Sequence, residues 1–202
     1  MPAFGRASSS RSCRPLLAGL VLGAVLSFQG AHAARGDSSQ AARYHEDAVA
    51  RLARNDLPGA IIQARNAVQK DSSLLAAHLL LGKALLRDGQ AAAAEAEFEI
   101  ALRLGASMAE VAQPYGTALM MFGNSEKLLA RIKPDGLAPS ARAEVLAMRA
   151  TAHADQGDTK AAWRAVEEAK AADPRSLAPL RAEIDLALRT RDTPRARQAL
   201  EA

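Results

Sequence analysis

Histidine and cysteine are the side chains with the widest chemical repertoire, and this sequence has few of them. Its 202 residues include four histidines and one cysteine. His45 and His78 form a conceivable metal pair, but they lie too far apart in the sequence to be a ligand motif. The sequence contains no G-x-S-x-G element, no H-E-x-x-H pair and no glycine-rich phosphate loop. We therefore expect no catalytic residue, no bound metal and no cofactor.

Residues 1–33 have the pattern of a cleavable signal peptide. Arg6, Arg11 and Arg14 precede an apolar run that extends from Leu16 to Leu26. Ala31-His32-Ala33 then places small residues at −3 and −1 of a cleavage site before Ala34. A transmembrane anchor is the alternative, but it needs roughly 20 apolar residues. We predict a signal peptide over 1–33, a short linker over 34–40, and export to the periplasm of a Gram-negative bacterium.

Removal of this leader changes the cysteine content and the charge of the chain. Cys13 precedes the apolar run, whereas a lipid-anchored protein carries its cysteine after the run, so we expect no anchor through Cys13. Contact with a membrane is then expected only through the uncleaved signal peptide. Without its three arginines the 26 basic residues become 23, against 22 acidic ones. A net charge of +1 gives no basic surface for nucleic acid, and no such partner is expected.

The rest of the chain repeats itself at an interval of about 34 residues, without a break in register. One repeating column is formed by Asn55, Gly89, Gly123, Gly157 and Arg191. The repeating units are 41–74, 75–108, 109–142, 143–176 and a partial unit, 177–202. Each unit has two stretches of helical periodicity joined by a turn, as in 75–87 and 91–104. This pattern predicts an all-α solenoid of antiparallel helix pairs.

The spacing resembles that of tetratricopeptide-repeat (TPR) proteins, whose 34-residue pattern places small residues where helices cross. Unit 2 carries most of the pattern, at Leu81, Gly82, Ala94, Phe98 and Ala101. Units 4 and 1 match it at further positions, namely Gly157, Ala162, Ala169 and Pro174, and Tyr44, Ala60 and Ala67. The resemblance implies a right-handed superhelix that acts as a non-enzymatic protein-binding scaffold.

Two parts of the array depart from the pattern. In unit 3, proline should stop the second helix near Lys133, leaving 134–140 as a loop with Ser140 as the N-cap of the next helix. Pro114 should kink the first helix of that unit or delay its start. This irregularity is either tolerated or changes the curvature of the array. Unit 5 stops within its second helix, so further TPR units are expected beyond Ala202; a partner that covers this end is the alternative.

The amino-acid sequences of three segments are similar to those of TPR-repeat proteins of the bacterial exosortase/PEP-CTERM system. These segments are Ala42–Asp71, Ala77–Gly89 and Leu128–Gly157. The resemblance implies a role in the cell envelope, in sorting of surface proteins or in assembly of exopolysaccharide, with other envelope proteins or peptides as partners. An envelope module that binds a small ligand or a metal is the alternative function.

The TPR resemblance also implies a binding groove on the concave side, lined by the first helix of each unit. Met120 and Met121 are candidate contact residues because flexible thioether side chains suit adaptable binding surfaces. The alternative is that either residue belongs to the core. The positions that face this groove in the family predict a partner-binding set of Lys83, Arg87, Gln113, Thr117, Met120, Met121, Thr151 and Asp155.

Overall fold

The computed structural model describes the backbone of residues 22–201 and the side chains of residues 37–201. Within this range the chain is all-helical, with ten α-helices and no strand. In chain order they are α1 (Leu22–Ala53), α2 (Leu57–Lys70), α3 (Leu75–Arg87), α4 (Ala91–Arg103), α5 (Met108–Met121), α6 (Ser125–Arg131), α7 (Pro139–Asp155), α8 (Thr159–Ala172), α9 (Leu177–Arg189) and α10 (Thr193–Glu201). The all-helical prediction is confirmed for this part of the chain.

The predicted leader, residues 1–33, lies within the first of two units of the chain. The chain divides into two compact units, residues 1–37 and residues 38–202. Residues 1–21, with Cys13 and the three leader arginines, lie outside the described part, so the signal peptide stays a prediction. Residues 34–40 were expected to be a linker, but they are helical and belong to α1. No proline interrupts them, and Gly36 is their only strong helix breaker.

In residues 38–201 the helices follow one another as antiparallel pairs. The second helix of a pair packs on the first helix of the next pair, as α2 does on α3, α4 on α5, α6 on α7 and α8 on α9. The first helices also pack on one another, with α5 between α3 and α7, and α7 next to α9. Helices α3, α5, α7 and α9 therefore form one continuous layer.

The turn between the two helices of each pair uses the same two positions of every repeat unit. The first position has a positive φ in all five pairs, including the non-glycine residues Asn55 (61°) and Arg191 (60°). At the second position the side chains of Asp56, Asn124 and Asp158 each accept a hydrogen bond from a backbone amide in the first turn of the next helix. A left-handed residue followed by an N-cap therefore reverses the chain and starts the second helix.

Small residues occupy the contacts between helices. Ala60, Ala94 and Ala162 recur at one position of the second helices, and each is fully buried. A Cβ atom added to Gly82 would lie 2.8 Å from Cε1 of Phe98, the buried ring that faces it from α4. A larger side chain at these positions would separate the helices. The regular recurrence of small residues therefore fixes the spacing of the layers.

Unit 3 is irregular, but not everywhere in the predicted way. Helix α6 ends at Arg131, and α7 begins at Pro139 with Ala138 as its N-cap, so the loop is 132–138 and Ser140 is not a cap. Proline is favoured at the first helical position, where no amide hydrogen is needed. Pro114 does not delay α5, which starts at Met108 behind the capping side chain of Ser107.

The shortened α6 receives its carboxyl-terminal cap from the next unit. The Arg149 guanidinium, carried by α7, donates hydrogen bonds to the carbonyl oxygens of Leu129 (2.9 Å) and Ile132 (3.0 Å). These carbonyls stand at the end of α6, where a cation is favoured by the helix dipole. Burial lowers the pKa of Arg149, but an arginine stays protonated. Arg149 thus replaces contacts that the missing helical turns would have made.

Two glycines at equivalent positions should respond differently to substitution by alanine. Gly82→Ala should lower the free energy of unfolding by about 1 kcal/mol, because overpacking against Phe98 exceeds the gain in helix propensity. Gly116→Ala should be neutral or stabilising by up to about 1 kcal/mol. Its added Cβ meets only the flexible Met148, whose Sδ lies 2.7 Å away and can move. Urea denaturation of both variants measures the difference, and equal effects would contradict this packing.

Candidate functional site

A groove of about 540 Å³ lies on the layer of first helices, between α5, α7 and α9. Its lining combines short or flexible apolar side chains with polar and charged ones. The lining residues are Gln113, Met120, Glu144, Ala147, Met148, Thr151, Ala178, Arg181, Ala182, Asp185 and Arg189. Three consecutive repeat units therefore contribute to one surface.

The repeat itself determines which side chains reach the groove. Gln113, Ala147 and Arg181 occupy the same position in three successive units and line the groove from α5, α7 and α9. Thr151 and Asp185 form a second such pair, one helical turn further along their helices. Each first helix turns the same face to the groove, and equivalent residues lie at the same point along each helix axis. Equivalent positions therefore follow one another along the groove.

Three of the eight predicted residues line this groove, namely Gln113, Met120 and Thr151. Thr117 belongs to the same helix as Gln113, and its hydroxyl donates a hydrogen bond to the Gln113 carbonyl oxygen at 2.9 Å. Met120 is half-buried and packs against the main hydrophobic core, and it also lines the groove. It is therefore both a core residue and a groove residue.

The remaining predicted residues lie elsewhere. Lys83 and Arg87 are carried by α3, outside the lining of the groove, and Arg87 lies 3.4 Å from the side-chain oxygen of Asn55. Met121 is exposed beside Phe122, where the two form a shallow apolar patch with residues 89–93. Asp155 is at the end of α7, next to the groove, and is engaged by Arg189. The structure thus separates the predicted set into three locations, and their role in binding stays a prediction.

An ion-pair network closes one end of the groove. Arg189 on α9 lies 2.7 Å from Asp155 and 3.4 Å from Asp185, while Ser125 of α6 donates a hydrogen bond to Asp155 at 2.7 Å. Partial burial acts to raise the pKa of Asp155, but the hydrogen bonds from Ser125 and Arg189 outweigh it and lower this pKa. The hydrogen bond with Asp155 in turn raises the pKa of Arg189. Asp155 thereby links three successive units.

Sequence reasoning missed eight of the eleven residues that line the groove. Arg181, Asp185 and Arg189 occupy the same repeat positions as the predicted residues Gln113, Thr117 and Arg87. Their signal was therefore present, and a full application of the repeat columns to units 4 and 5 would have found them. Met148 had no such signal, because the prediction did not use its repeat position; its Sδ lies over Gly116, where no side chain occupies the space.

The other charged clusters hold helices together. Lys127 of α6 contacts Glu95 and Glu99 of α4, at 2.5 and 2.7 Å, and these contacts raise its pKa. Glu183 is almost fully buried on α9 and accepts hydrogen bonds from Lys170 (2.7 Å) and Arg195 (2.9 Å). Buried charges need partners of this kind to offset their desolvation. These groups are therefore structural in the arrangement observed.

Chemically reactive groups do not converge in the described part of the chain. Within residues 37–201 no cluster of three or more histidine, cysteine, aspartate or glutamate side chains is placed to hold a metal ion. His78 is buried, with Nδ1 2.6 Å from Glu97 Oε2 and Nε2 3.1 Å from the Ser72 carbonyl oxygen. Both ring nitrogens are thus occupied, which leaves His78 no free ligand atom. None of the described helices has the length and hydropathy needed to cross a membrane.

Trp163 combines an apolar contact with a contact to a cation. Its ring is partly buried against the second hydrophobic cluster, formed by α7, α8 and α9. The guanidinium carbon of Arg195 lies 3.8 Å from the ring centroid, in cation–π geometry. Trp163 therefore helps to fix α10 on α8.

Comparison with solved structures identifies the fold. No protein-family model and no curated protein sequence matches this chain. PilF of Pseudomonas aeruginosa matches it at 21% identity and a TM-score of 0.62, covering 82% of this chain and 76% of its own. MamA of Desulfovibrio magneticus matches at 16% identity and a TM-score of 0.64, covering 80% and 90%.

A third similar structure, YrrB, has 19% identity and a TM-score of 0.59, with 78% of this chain and 81% of its own covered. It is described as a TPR protein with an unusual peptide-binding site. At these identities the comparison concerns the fold alone. PilF, YrrB and MamA are TPR proteins, and the chain shares the TPR fold with them.

The ion-pair network at the end of the groove should contribute stability only above acidic pH. Because the pKa of Asp155 is lower in the folded chain than the ordinary value of about 3.9, its contribution is complete above that value and is lost as pH falls through the folded pKa. Asp155→Asn should cost about 0.5–1 kcal/mol at pH 7, a small value because the pair is partly exposed.

Urea denaturation of both proteins between pH 7 and pH 3 checks this prediction. The difference in unfolding free energy between wild type and variant should shrink as the pH falls. A difference that stays constant would mean that the charge on Asp155 has no part in it.

Proposed function

We propose that this protein is a non-enzymatic scaffold that binds a peptide segment of a partner protein in the groove of α5, α7 and α9. TPR neighbours support a protein-interaction role at the level of the fold. The observation that carries the proposal for this chain is the composition of the groove. An apolar floor of alanine and methionine is bordered by Gln113, Glu144, Arg181 and Asp185, the mixture expected of a site that holds side chains and backbone together.

The repeated geometry favours an elongated occupant over a compact small molecule. Equivalent groove positions recur from α5 to α7 to α9, so a segment lying across the helices meets a side chain of the protein at regular intervals. Backbone and side-chain groups of an extended peptide or a helix repeat in the same way. A compact ligand would use only one of these intervals.

The methionines suit a site that accepts related rather than identical segments. Met120 and Met148 come from neighbouring first helices and both line the groove. Thioether side chains change rotamer at low cost and fit irregular apolar surfaces. Recognition would then depend on Arg181 and Glu144 for orientation, while the methionines adapt to the apolar side chains of the partner.

We further propose that the protein acts in the cell envelope, in surface-protein sorting or exopolysaccharide assembly. The leader pattern of residues 1–33 supports export. The three segments that resemble TPR proteins of the exosortase/PEP-CTERM system support the specific pathway. The low net charge after removal of the leader agrees with a protein partner rather than with nucleic acid.

Peptide binding can be tested by selecting ligands from a displayed peptide library against the protein and measuring their affinity by fluorescence anisotropy. Thr151→Arg should weaken the selected peptides at least tenfold, because a long charged side chain fills the groove. Arg181→Glu should weaken acidic peptides most. Arg103→Glu makes the same change in charge on α4, outside the groove lining, and serves as the matched control. Selected peptides that bind Thr151→Arg as tightly as wild type would refute the groove as the site.

Export can be tested separately by producing the full chain in a Gram-negative host and fractionating the cells. The mature protein should be periplasmic, and mass spectrometry should find Ala34 as its first residue. Ala33→Arg should block processing, because position −1 of the cleavage site requires a small side chain. A cytoplasmic protein that retains residues 1–33 would exclude the envelope part of the proposal while leaving peptide binding untouched.

A further inference from the structure

A second cavity, of about 330 Å³, lies where the shortened α6 ends, between the loop of residues 132–138, α7 and α8. Helix α7 lines it with Leu146, Arg149 and His153, whose spacing places them on one face of the helix. Thr151, which lines the peptide groove, lies on the opposite face of α7. The cavity is therefore a separate surface from the groove.

Three cationic side chains line this cavity, namely Lys133, Arg149 and Arg164. Lys133 Nζ and the Arg149 guanidinium donate hydrogen bonds to the same acceptor, the Leu129 carbonyl oxygen, at 3.0 and 2.9 Å. The two donor nitrogens therefore lie within about 6 Å of each other, a distance at which like charges repel. Among the described residues, no carboxylate forms an ion pair with any of the three cations.

Arg149 is a half-buried cation whose hydrogen-bond acceptors are uncharged carbonyl groups. Burial lowers its pKa, while two carboxylates at the rim of the cavity oppose this effect from a distance. Burial also lowers the pKa of His153, and the charges of Arg149 and Arg164 act in the same direction, against Asp158. The cavity thus has an uncompensated positive potential, which a bound anion would offset.

The same cleft recurs one repeat later, between α8, α9 and α10, where the chain supplies its own anion. Glu183 occupies the repeat position of Arg149 and is almost fully buried. Lys170 and Arg195 donate hydrogen bonds to its carboxylate at 2.7 and 2.9 Å. This place in the repeat therefore accommodates a carboxylate between two cations, whereas the cleft at Arg149 contains the cations alone.

The remaining lining indicates a ligand that carries hydroxyl groups as well as an anion. Asp135 and Glu168 are exposed carboxylates that accept no hydrogen bond from another described residue. They repel a purely anionic ligand, but hydroxyl groups can donate hydrogen bonds to them. Leu146, Ala161 and Ala165 add an apolar wall that fits the C–H face of a sugar ring. The volume is at the lower end of the range for small-molecule sites, roughly 300–1,000 Å³.

We propose that this cavity binds an acidic sugar, a single hexuronate unit. Its carboxylate is bound by Lys133, Arg149 and Arg164, in the way that Lys170 and Arg195 bind Glu183. Its hydroxyl groups donate hydrogen bonds to the carboxylates at the rim. The site goes beyond the proposed peptide binding, and it depends neither on the groove nor on the cellular location of the protein.

Titration of the isotope-labelled whole protein by NMR tests the proposal, with D-glucuronate, D-glucose and inorganic phosphate as probes. Glucuronate should cause saturable shifts of amide signals in residues 132–138 and in α8. Glucose lacks the carboxylate and phosphate lacks the sugar ring, so each should bind at least tenfold more weakly. Equal binding of glucose would overturn the role of the cations, and equal binding of phosphate would overturn the assignment to a sugar.

Variants on α8 separate this site from weak binding elsewhere. Arg164→Gln should weaken glucuronate binding at least fivefold while leaving the urea-denaturation midpoint unchanged, because Arg164 is exposed. Arg103→Gln removes the same charge from an exposed position on α4, outside the cavity, and should have no effect on binding. Equal affinities of the wild-type and Arg164→Gln proteins would overturn the site.

Glu168→Ala distinguishes hydroxyl recognition from simple electrostatic attraction. If Glu168 accepts a hydrogen bond from the sugar, its loss should weaken glucuronate binding at least threefold. Tighter binding by this variant would mean that Glu168 only repels the ligand, which would overturn the assignment to a sugar.

A linear trimer of hexuronate units, titrated in parallel, distinguishes the two sources of such a ligand. At least tenfold tighter binding than that of the single sugar would identify a unit within a polysaccharide, and equal binding would identify a free sugar. The absence of saturable shifts with either probe would overturn the proposal as a whole.

Discussion

Close contact between helices through alanine and glycine is the constraint on which the rest of this structure depends. The fully buried alanines at the crossing points leave no space for a larger side chain, and Phe98 fits only because Gly82 opposite it has none. Burial of such small groups contributes little free energy per residue, so stability has to come from many equivalent contacts in series. The same contacts set the spacing of the first helices, and that spacing creates the groove.

Charged clusters add specificity to a core of such uniform composition. An alanine-rich interface offers few features that distinguish one register from the next. Lys127 with Glu95 and Glu99 joins α6 to α4, and Glu183 with Lys170 and Arg195 joins α9 to α8 and α10. Moving a helix by one turn would leave a buried carboxylate such as Glu183 without its partners. We infer that these clusters hold the units in the observed register.

Much of the fold could be predicted from the sequence because the same pattern of residue types occurs in five repeat units. Gly89, Gly123 and Gly157 predicted the turns, and positive φ at Asn55 and Arg191 shows that the position, not the residue type, determines the conformation. The start of α7 was misplaced because Ser140 and Pro139 are both acceptable near a helix start, and local preference alone did not decide between them. The capping of α6 by Arg149 was not predictable, since it depends on a long-range contact. Within the groove, Gln113, Met120 and Thr151 were reached through their repeat positions, whereas Lys83 and Arg87 lie beyond its end.

Zero-length cross-linking tests the stacking of successive pairs in one repeat register most directly. A carbodiimide joins an amine to a carboxylate only when the two groups touch, and it requires no mutation. Peptide mass spectrometry of the treated protein should identify Lys127 linked to Glu95 or Glu99, and Lys170 linked to Glu183. Intramolecular links from Lys127 or Lys170 to carboxylates on helices that are not their neighbours, with these three absent, would contradict the proposed stacking.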